Sequence, residues 1–450
     1  MKFGLSDHNI GQKFGLIDQI FINECHFTTK MDRERLKEAL LEHNQQKLTS
    51  NFIPRELQQK LDEHAKSEFV IIVSGIRRSG KSTILTHLRQ QLDSYYVNFD
   101  DERLIDFTVK DFVVLYELLQ ELFGEKDTFI FDEIQNIPAW ERFVRRLHNE
   151  KKKVYVTGSN ASMLSRELGT HLTGRHISLT MYPFSFREFC SFHKMNFDLL
   201  TLTSSNKAKI KRLFAQYLKQ GGFPEFLRSE KIEYLKSLYE NILYRDIITR
   251  YNIPNEKPLK LTATYAASNV GKELSFNQIK KLTGLSSATT VKEYFSYLEN
   301  SYLCFLISRY DDSLKKQIYY AKKAYYIDPA IASLLGFHSS EDYGRILENI
   351  VFIDLMREKK EIYFHKGKYE CDFVLRQGTK IVQAIQVTKV LGKNKDRELQ
   401  GLLEAMKRYK LKKGLILTKD QSETFVVDKK KIEVKPVWKW LLTKSKGDQK

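Results

Sequence analysis

The chain has 450 residues and a mass of 53.0 kDa, which is enough sequence for about three domains and excludes a single small module. Hydrophobic residues make up 42% of the chain and aromatic residues 12%, so wholesale disorder is excluded and a buried core is expected. The formal net charge of +18 favours a polyanionic partner, with a solvated lysine-rich surface as the alternative explanation.

The cysteines show no CxxC spacing; they are Cys25, Cys190, Cys304 and Cys371. This pattern argues against a disulfide framework and against a zinc ribbon or finger, and it fits a reducing compartment. The first residues form no basic stretch followed by an apolar core, and no window reaches about 18 consecutive apolar residues. We therefore expect a cytoplasmic protein that is neither exported nor inserted in a membrane.

The chain begins with a polar segment, residues 1–51, which we expect to be an N-terminal extension outside the first domain. Its one amphipathic stretch lies over 31–43. Residues 52–255 then alternate short apolar strands with helical patterns, which predicts an α/β domain built on a doubly wound parallel sheet. The predicted strands are 69–74, 95–99, 128–131 and 154–157. A helical segment over 207–251, interrupted at Gly221-Gly-Phe-Pro224, predicts a lid on this sheet.

The sequence Gly75-Ile-Arg-Arg-Ser-Gly80-Lys81-Ser82 matches the GxxxxGK[ST] phosphate loop, and it stands between a predicted strand and a predicted helix, as the motif requires. Its glycines let backbone N–H groups surround phosphates, and the positive end of the helix adds to the attraction. Lys81 would neutralise the β and γ oxygens of ATP, and Ser82 would supply a Mg²⁺ ligand. The predicted nucleotide-binding residues are Gly75, Ser79, Gly80, Lys81, Ser82 and Thr83.

An apolar strand ending in two acids, Phe129-Ile-Phe131-Asp132-Glu133, follows the phosphate loop. Both carboxylates would emerge at the carboxyl edge of the sheet, beside the loop. Asp132 would then hold the Mg²⁺ shell, and Glu133 would orient and deprotonate the attacking water.

Two more residues are candidate catalytic groups on less specific grounds. Asn160 follows the strand over 154–157 and would touch the γ-phosphate or the lytic water. Arg175 follows Gly174 in a predicted loop, where it would stabilise γ-phosphate charge in cis or across a subunit boundary of an oligomer. A structural salt bridge is an equally good interpretation of Arg175.

Together with Gly174-Arg175, Pro183-Phe-Ser-Phe-Arg-Glu188 and the Gly221-Gly-Phe-Pro224 break, these motifs resemble a known family. The chain is similar to the archaeal and bacterial AAA-type P-loop ATPases that carry a C-terminal PD-(D/E)XK nuclease-like domain of unknown function. The resemblance covers most of the chain from residue 51 to residue 442. It implies Mg²⁺-dependent ATP binding and hydrolysis, while no single biological role is established for the family.

Residues 256–312 predict a winged helix-turn-helix, because short helical patterns precede a β-rich run at 303–307. Its third helix would begin after Ser287 and would expose polar side chains toward phosphates or base edges. These side chains are Thr289, Thr290, Lys292 and Ser296. A protein-contact or linker role is the alternative, since winged helices often serve in that way.

Residues 313–442 predict a separate α/β domain, and a basic tail follows over 443–450. The resemblance implies a nuclease-like fold in which Glu348 and Asp372 match two metal ligands. The following strand departs from the pattern, because Gln386 stands at the place of a carboxylate and Thr388 at the place of the lysine. We therefore expect a degenerate site with weakened cleavage, in a domain that binds nucleic acid or contacts protein.

The sequence thus predicts a Mg²⁺-dependent ATPase whose partner is nucleic acid, with DNA favoured. Two other outputs stay open at this point. One is an ATP-regulated nuclease, and the other is a signalling ATPase whose C-terminal half binds a protein.

Overall fold

The computed structural model describes residues 31–45, 52–159, 174–195, 197–198, 201–336, 343–392 and 395–443. The elements of the first half are α1 (Arg33–Gln45), α2 (Glu56–Glu63), β1 (Val70–Ser74), α3 (Lys81–Gln91), β2 (Ser94–Asn98), two 3₁₀ turns (Glu102–Leu104 and Val109–Asp111), α4 (Phe112–Phe123), β3 (Thr128–Asp132), a 3₁₀ turn (Ile134–Asn136), α5 (Glu141–Asn149), β4 (Lys153–Gly158), β5 (His176–Thr180), α6 (Phe186–Phe192), α7 (Ser204–Gln220), α8 (Pro224–Ser229), α9 (Ile232–Asn241) and a π-helical segment (Ile242–Ile248).

The second half holds α10 (Lys257–Ser268), β6 (Glu273–Leu274), α11 (Phe276–Thr283), α12 (Ala288–Asn300), β7 (Cys304–Arg309), α13 (Leu314–Tyr319), β8 (Lys322–Tyr326), α14 (Pro329–Leu335), α15 (Tyr343–Arg357), β9 (Glu361–Lys366), β10 (Glu370–Gln377), β11 (Lys380–Val387), α16 (Lys395–Arg408), β12 (Lys413–Thr418), β13 (Glu423–Val427), β14 (Lys430–Pro436) and α17 (Val437–Thr443).

The first half is organised around a parallel sheet with the strand order β2-β3-β4-β1-β5. Its central strands are buried apolar runs, since helices cover both faces of such a sheet. Because β3, β4 and β1 are parallel neighbours, the loops after these three strands open at one edge of the sheet. The predicted α/β fold with a parallel sheet is confirmed.

Helix α1 corrects the expectation that residues 1–51 lie outside the first domain. Leu36 and Leu40 on α1 are fully buried in the same apolar cluster as the strands of the first sheet. His43 at its end is also buried and hydrogen-bonds Asp101, with 2.8 Å between Nε2 and Oδ2. The amphipathic face therefore packs on the sheet domain, where burial removes its leucines from water. Residues 1–30 and 46–51 lie outside the described residues.

The second half is organised around a mixed sheet with the strand order β13-β14-β12-β11-β10-β9-β7-β8-β6. The predicted domain boundary at residue 312 falls between β7 and β8, which pair in antiparallel fashion. Strand β7 also pairs in parallel with β9. The boundary is therefore wrong, since backbone hydrogen bonds join the two predicted domains into one sheet.

The two halves meet beside the phosphate loop. The Tyr302 hydroxyl donates to Ser74 Oγ, the last side chain of β1, at 2.7 Å. At the end of α15, Arg357 donates to the Pro183 carbonyl at 2.5 Å and stacks over the Tyr182 ring. One apolar cluster runs from the lid helices into the second sheet, so the halves share a core.

Among the described residues, no helix combines the length and the apolar character that crossing a membrane requires. The predicted basic tail lies outside the described residues from position 444 onward.

Candidate active site

The phosphate loop follows β1 and leads into α3, as its sequence predicts. Gly75 has a φ of 149°, and a Cβ at this position would lie 2.1 Å from the carbonyl oxygen of Met181. Gly80 has a φ of 103° and precedes the first residue of α3. Only glycine tolerates these conformations at low cost, so the two glycines fix the path of the loop.

Lys81 lies at the base of this loop with its side chain almost fully buried. Its Nζ donates to the carbonyl oxygens of Gly75 and Ile76, at 3.1 and 3.3 Å. The same atom is 3.6 Å from Glu133 Oε1. The ammonium therefore stands between the loop backbone and the carboxylate that ends the β3 motif.

Asp132 at the end of β3 is fully buried and accepts three side-chain hydrogen bonds. Tyr96 donates its hydroxyl to Oδ2 at 3.0 Å, and the Thr157 and Ser82 hydroxyls donate as well. Burial and the neighbouring Glu133 charge raise the pKa of Asp132 above its usual value, although these hydrogen bonds oppose the rise. Positive charge placed beside Asp132 would stabilise its ionised form.

Glu133 has a left-handed backbone conformation, with a φ of 51°, which turns its side chain toward Lys81. Its N–H donates to Thr157 Oγ1 at 2.8 Å, and Gln135 Nε2 donates to Glu133 Oε2 at 2.5 Å. Burial alone would raise the pKa of Glu133, but the Lys81 ammonium and the Gln135 hydrogen bond hold it below its usual value. Glu133 is therefore ionised near neutral pH.

An ion pair joins the lid to the phosphate loop. Arg77 in the loop makes two hydrogen bonds to Asp246 in the π-helical segment, at 3.0 and 2.9 Å. Next to it, Arg245 pairs with Asp100 at 2.9 Å. Asp246 and Arg245 both lie in the π-helical segment, and π-helical turns often mark functional sites.

A cleft of 340 Å³ lies between the loop, β3 and the lid. Acidic and basic groups line it, together with the exposed side chains of Ser82 and Thr83. Its apolar and aromatic lining consists of Phe52, Ile53, Phe184, Pro224 and Tyr234. The cleft thus offers both cationic groups and aromatic side chains, which suits a nucleoside triphosphate.

Arg55 lines the cleft and supports the phosphate loop through its guanidinium group. Its guanidinium donates to the Ser79 carbonyl at 2.8 Å and to the Tyr182 carbonyl at 2.6 Å. It also pairs with Glu188, with 3.0 Å between Nε and Oε1. This buried cation holds the phosphate loop in place from outside the loop sequence.

Several predicted site residues do not line the cleft. Gly75, Ser79 and Asp132 lie behind its lining; Ser79 contributes its backbone to the loop, and Asp132 is buried next to Ser82. Asn160 lies outside the described residues. Arg175 precedes β5 at the opposite edge of the sheet, since its carbonyl accepts from the N–H of Val70 at the start of β1.

The in cis role of Arg175 is therefore wrong. Its Nη1 donates to Asn149 at 3.1 Å, one sheet length away from the loop that follows β1. The sequence pattern around Gly174-Arg175 does not reveal which edge of the sheet the loop occupies. A role across a subunit boundary stays a prediction.

Residues 67–190 match a family model described as an AAA domain, and residues 211–341 match a domain of unknown function, DUF8612. "Uncharacterized protein MJ1544" of Methanocaldococcus jannaschii is 33% identical over 395 residues, which cover 83% of this chain and 88% of that protein. This chain belongs to the same protein family as MJ1544. An uncharacterized protein of Haemophilus influenzae is 31% identical over 402 residues, with 85% and 97% of the two chains covered.

Among solved structures, the Walker-type ATPase PABY2304 of Pyrococcus abyssi aligns with 64% of this chain and 97% of its own, at 17% identity and a TM-score of 0.44. The AAA domain match and the strand order of the first sheet identify this half as an AAA-type P-loop ATPase domain. Such domains bind ATP, usually with Mg²⁺. The residues of this chain fit Mg²⁺. The Ser82 hydroxyl and the Asp132 carboxylate are hydrogen-bonded neighbours beside the phosphate loop, and both supply the oxygen ligands that Mg²⁺ prefers.

Of the four residues predicted for a degenerate nuclease site, three lie together and one does not. Glu348 on α15 and Asp372 on β10 are both buried and face one another across the Lys323 ammonium. Gln386 joins them, since its Oε1 accepts from the N–H of Asp372 at 3.2 Å and its Nε2 donates to Glu398 at 2.5 Å. Thr388 lies beyond the end of β11 and donates to the Val390 carbonyl instead.

This second cluster does not fit a metal ion. Lys323 of β8 contacts Glu348, Asp372 and a third acid, Glu370. The sequence motif did not point to Lys323 or to Glu370, because the lysine lies on a strand that precedes the predicted motif. Burial and the Glu348 charge, opposed by Lys323, raise the pKa of Asp372 to about 7.

The sequence motifs did not point to two residues that line the cleft, Phe52 and Arg55, or to three that support it from outside the lining, Gln135, Asp246 and Tyr302. The Gly221-Gly-Phe-Pro224 break marked the lid, but no motif marked Asp246 as the partner of the loop. Gln135 stands two positions after Glu133, so the acidic motif could have pointed to it.

Proposed function

We propose that this AAA domain hydrolyses ATP with Mg²⁺ and that the rest of the chain couples the reaction to nucleic acid. The observation that carries the first part is the meeting of Lys81, Ser82, Asp132 and Glu133 at one edge of the sheet. The same residue types at one phosphate-binding loop support phosphoryl transfer to water.

In this proposal each group has one role. Lys81 exchanges its contacts with the loop carbonyls for phosphate oxygens and neutralises their charge. Ser82 and Asp132 would hold Mg²⁺, which supplies further neutralisation of the phosphates when bound. Glu133 is ionised and lies within hydrogen-bonding reach of the cleft, so it would accept the proton of the attacking water.

The loop and the lid would both add positive charge around the phosphates. Arg78 of the loop lines the cleft, and so do Arg228 and Arg245 of the lid. Arg228 makes one exposed pair with Glu225 at 3.4 Å, which costs little to exchange for a phosphate. Binding of ATP would therefore draw the lid and the loop together.

Two substitutions separate binding from chemistry. Lys81→Ala should abolish binding of a fluorescent ATP analogue, whereas Glu133→Gln should keep binding and stop Mg²⁺-dependent turnover. Lys66→Ala, an exposed lysine away from the cleft, is the matched control. Normal turnover by folded Glu133→Gln would contradict the role of Glu133 as the base.

The nucleic-acid part of the proposal draws on the elements from α10 to β8. Their order, helix, strand, helix, helix and two strands, is typical of a winged helix-turn-helix. On α12, Thr289, Lys292 and Ser296 are exposed, while Val291 and Phe295 are buried. This helix would face phosphates, and so would the segment between β7 and β8.

That segment contains α13, which has no buried residue and exposes Lys315 and Lys316. With Lys292 on α12 they give this part of the surface three exposed positive charges. Replacing Lys292, Lys315 and Lys316 together with glutamate should weaken binding to duplex DNA. It should also lower the slope of log affinity against log salt concentration by up to about 3. An equal charge change at Lys66, Lys110 and Lys151, exposed lysines of the AAA domain, is the control. Equal losses for both triple variants would mean that only net charge matters.

A protein partner is the second candidate, because α13 also exposes large apolar side chains. Leu314, Ile318 and Tyr319 are 70%, 55% and 79% exposed. Replacing them with serine should leave the salt-dependent DNA affinity unchanged if a protein covers them. A loss of DNA affinity in this variant would instead assign the apolar face to nucleic-acid contact.

A further inference from the structure

Lys323 lies at the centre of the buried acidic cluster in the second half. Its Nζ is 2.6 Å from Glu370 Oε1, 3.3 Å from Glu348 Oε1 and 3.4 Å from Asp372 Oδ1. The lysine side chain is 1% exposed. Three elements, β8, α15 and β10, thus contribute to one contact between a cation and three carboxylates.

Two of the three carboxylates, Glu348 and Asp372, accept further hydrogen bonds from protein groups. The Tyr325 hydroxyl donates to Glu348 Oε1 at 2.6 Å. The N–H of Val387 donates to Asp372 Oδ2 at 2.9 Å. Buried charges are stable only when they are paired and hydrogen-bonded, and this cluster meets that condition with protein groups alone.

The position of the ammonium has a consequence for metal binding. A divalent ion would need the same carboxylate oxygens at about 2.0–2.6 Å, in the space where Nζ lies. Two cations cannot share that space, because their mutual repulsion adds to the steric conflict. Glu348 and Asp372 therefore face a cation that belongs to the chain.

We propose that Lys323 takes the place of a divalent metal ion in the nuclease-like half of this chain. Among the described residues no group of acids is arranged to hold a metal ion, and in this cluster the lysine keeps Glu348, Glu370 and Asp372 closed to one. In this state it ties β8 to α15 and β10. The domain then serves as a binding or contact module, and hydrolytic chemistry stays with the AAA domain.

Manganese binding to the full-length chain without nucleotide tests this proposal. Lys323→Met keeps the length of the side chain and removes its charge, so it should gain one Mn²⁺ per chain by electron paramagnetic resonance and calorimetry. We expect its affinity for Mn²⁺ at this site to exceed that of the wild type about tenfold or more. The double variant Lys323→Met/Asp372→Asn should lose the gained ion.

A second comparison needs no change at Lys323. Asp372→Asn in the otherwise wild-type chain should leave the number of bound Mn²⁺ ions unchanged. Loss of an ion in this variant would overturn the proposal, and so would a folded Lys323→Met chain that gains none. Circular dichroism and the unfolding temperature establish that each variant is folded.

Discussion

Arg77 in the phosphate loop and Asp246 in the lid form a two-point ion pair, although 169 positions separate them in sequence. The Asp246 side chain is 3% exposed, so water screens this pair weakly. Glu133 lies close enough to support the positive charge of Arg77. The pair therefore connects three parts of the cleft: the loop, the lid and the acidic strand end.

We expect Asp246→Asn to weaken ATP binding about tenfold, or about 1.4 kcal/mol, because the lid then loses its anchor on the loop and Arg77 is left unpaired. Titration with a fluorescent ATP analogue measures this. Asp420→Asn, which breaks a more exposed pair with Lys211, is the control and should bind normally. Unchanged ATP binding in Asp246→Asn would show that the lid is held by its apolar contacts alone.

Gln135 positions the carboxylate of Glu133. Its hydrogen bond lowers the pKa of Glu133, so Gln135→Ala should raise that pKa and move the acidic limb of the kcat profile to higher pH. Asn136→Ala is a matched control, because Asn136 donates to the Phe99 carbonyl and not to Glu133. A fall of kcat by the same factor at every pH would contradict this role, because a change in the pKa of Glu133 must shift the acidic limb of the profile.

The buried Asp328 should make stability depend on pH. Its carboxylate accepts from the N–H groups of Gly222 and Ala330, at 2.7 and 2.9 Å, and burial raises its pKa from 3.8 to about 6. The folded chain therefore holds this proton more tightly than the unfolded chain. The stabilisation is fully present below pH 3.8 and is lost as the pH rises through about 6.

The matching variant is Asp328→Asn, which carries no charge at any pH. The stability of the wild type relative to this variant should fall by about 3 kcal/mol between pH 4 and pH 6 and then stay level. Unfolding temperatures of both proteins across this range measure the difference. A difference that does not change with pH would mean that Asp328 ionises normally in its buried position.

The phosphate loop and the acidic strand end could be predicted from sequence, because each motif is contiguous. Local residue order fixes Gly75 to Ser82 between a strand and a helix, and it ends β3 at Asp132. Parallel strands then bring the two motifs together at one edge. That step needs only the general rule for α/β sheets.

The rest depended on contacts between distant segments. No local pattern pairs Arg77 with Asp246 or sets Arg55 under the phosphate loop. Lys323 looks like an ordinary strand lysine until β8 pairs with β7 and brings it to Glu348. The boundary at residue 312 failed for the same reason, since strand pairing across the sheet leaves no mark in composition.

The central claim is that ATP hydrolysis in this chain is coupled to nucleic acid. The most direct measurement is Mg²⁺-dependent ATP turnover by the wild type and by Glu133→Gln, each alone and with single-stranded DNA, duplex DNA or RNA. We expect one of these nucleic acids to stimulate turnover by the wild type, and we expect the variant to show no turnover in any condition. Turnover in the wild type that none of these nucleic acids changes would contradict the claim.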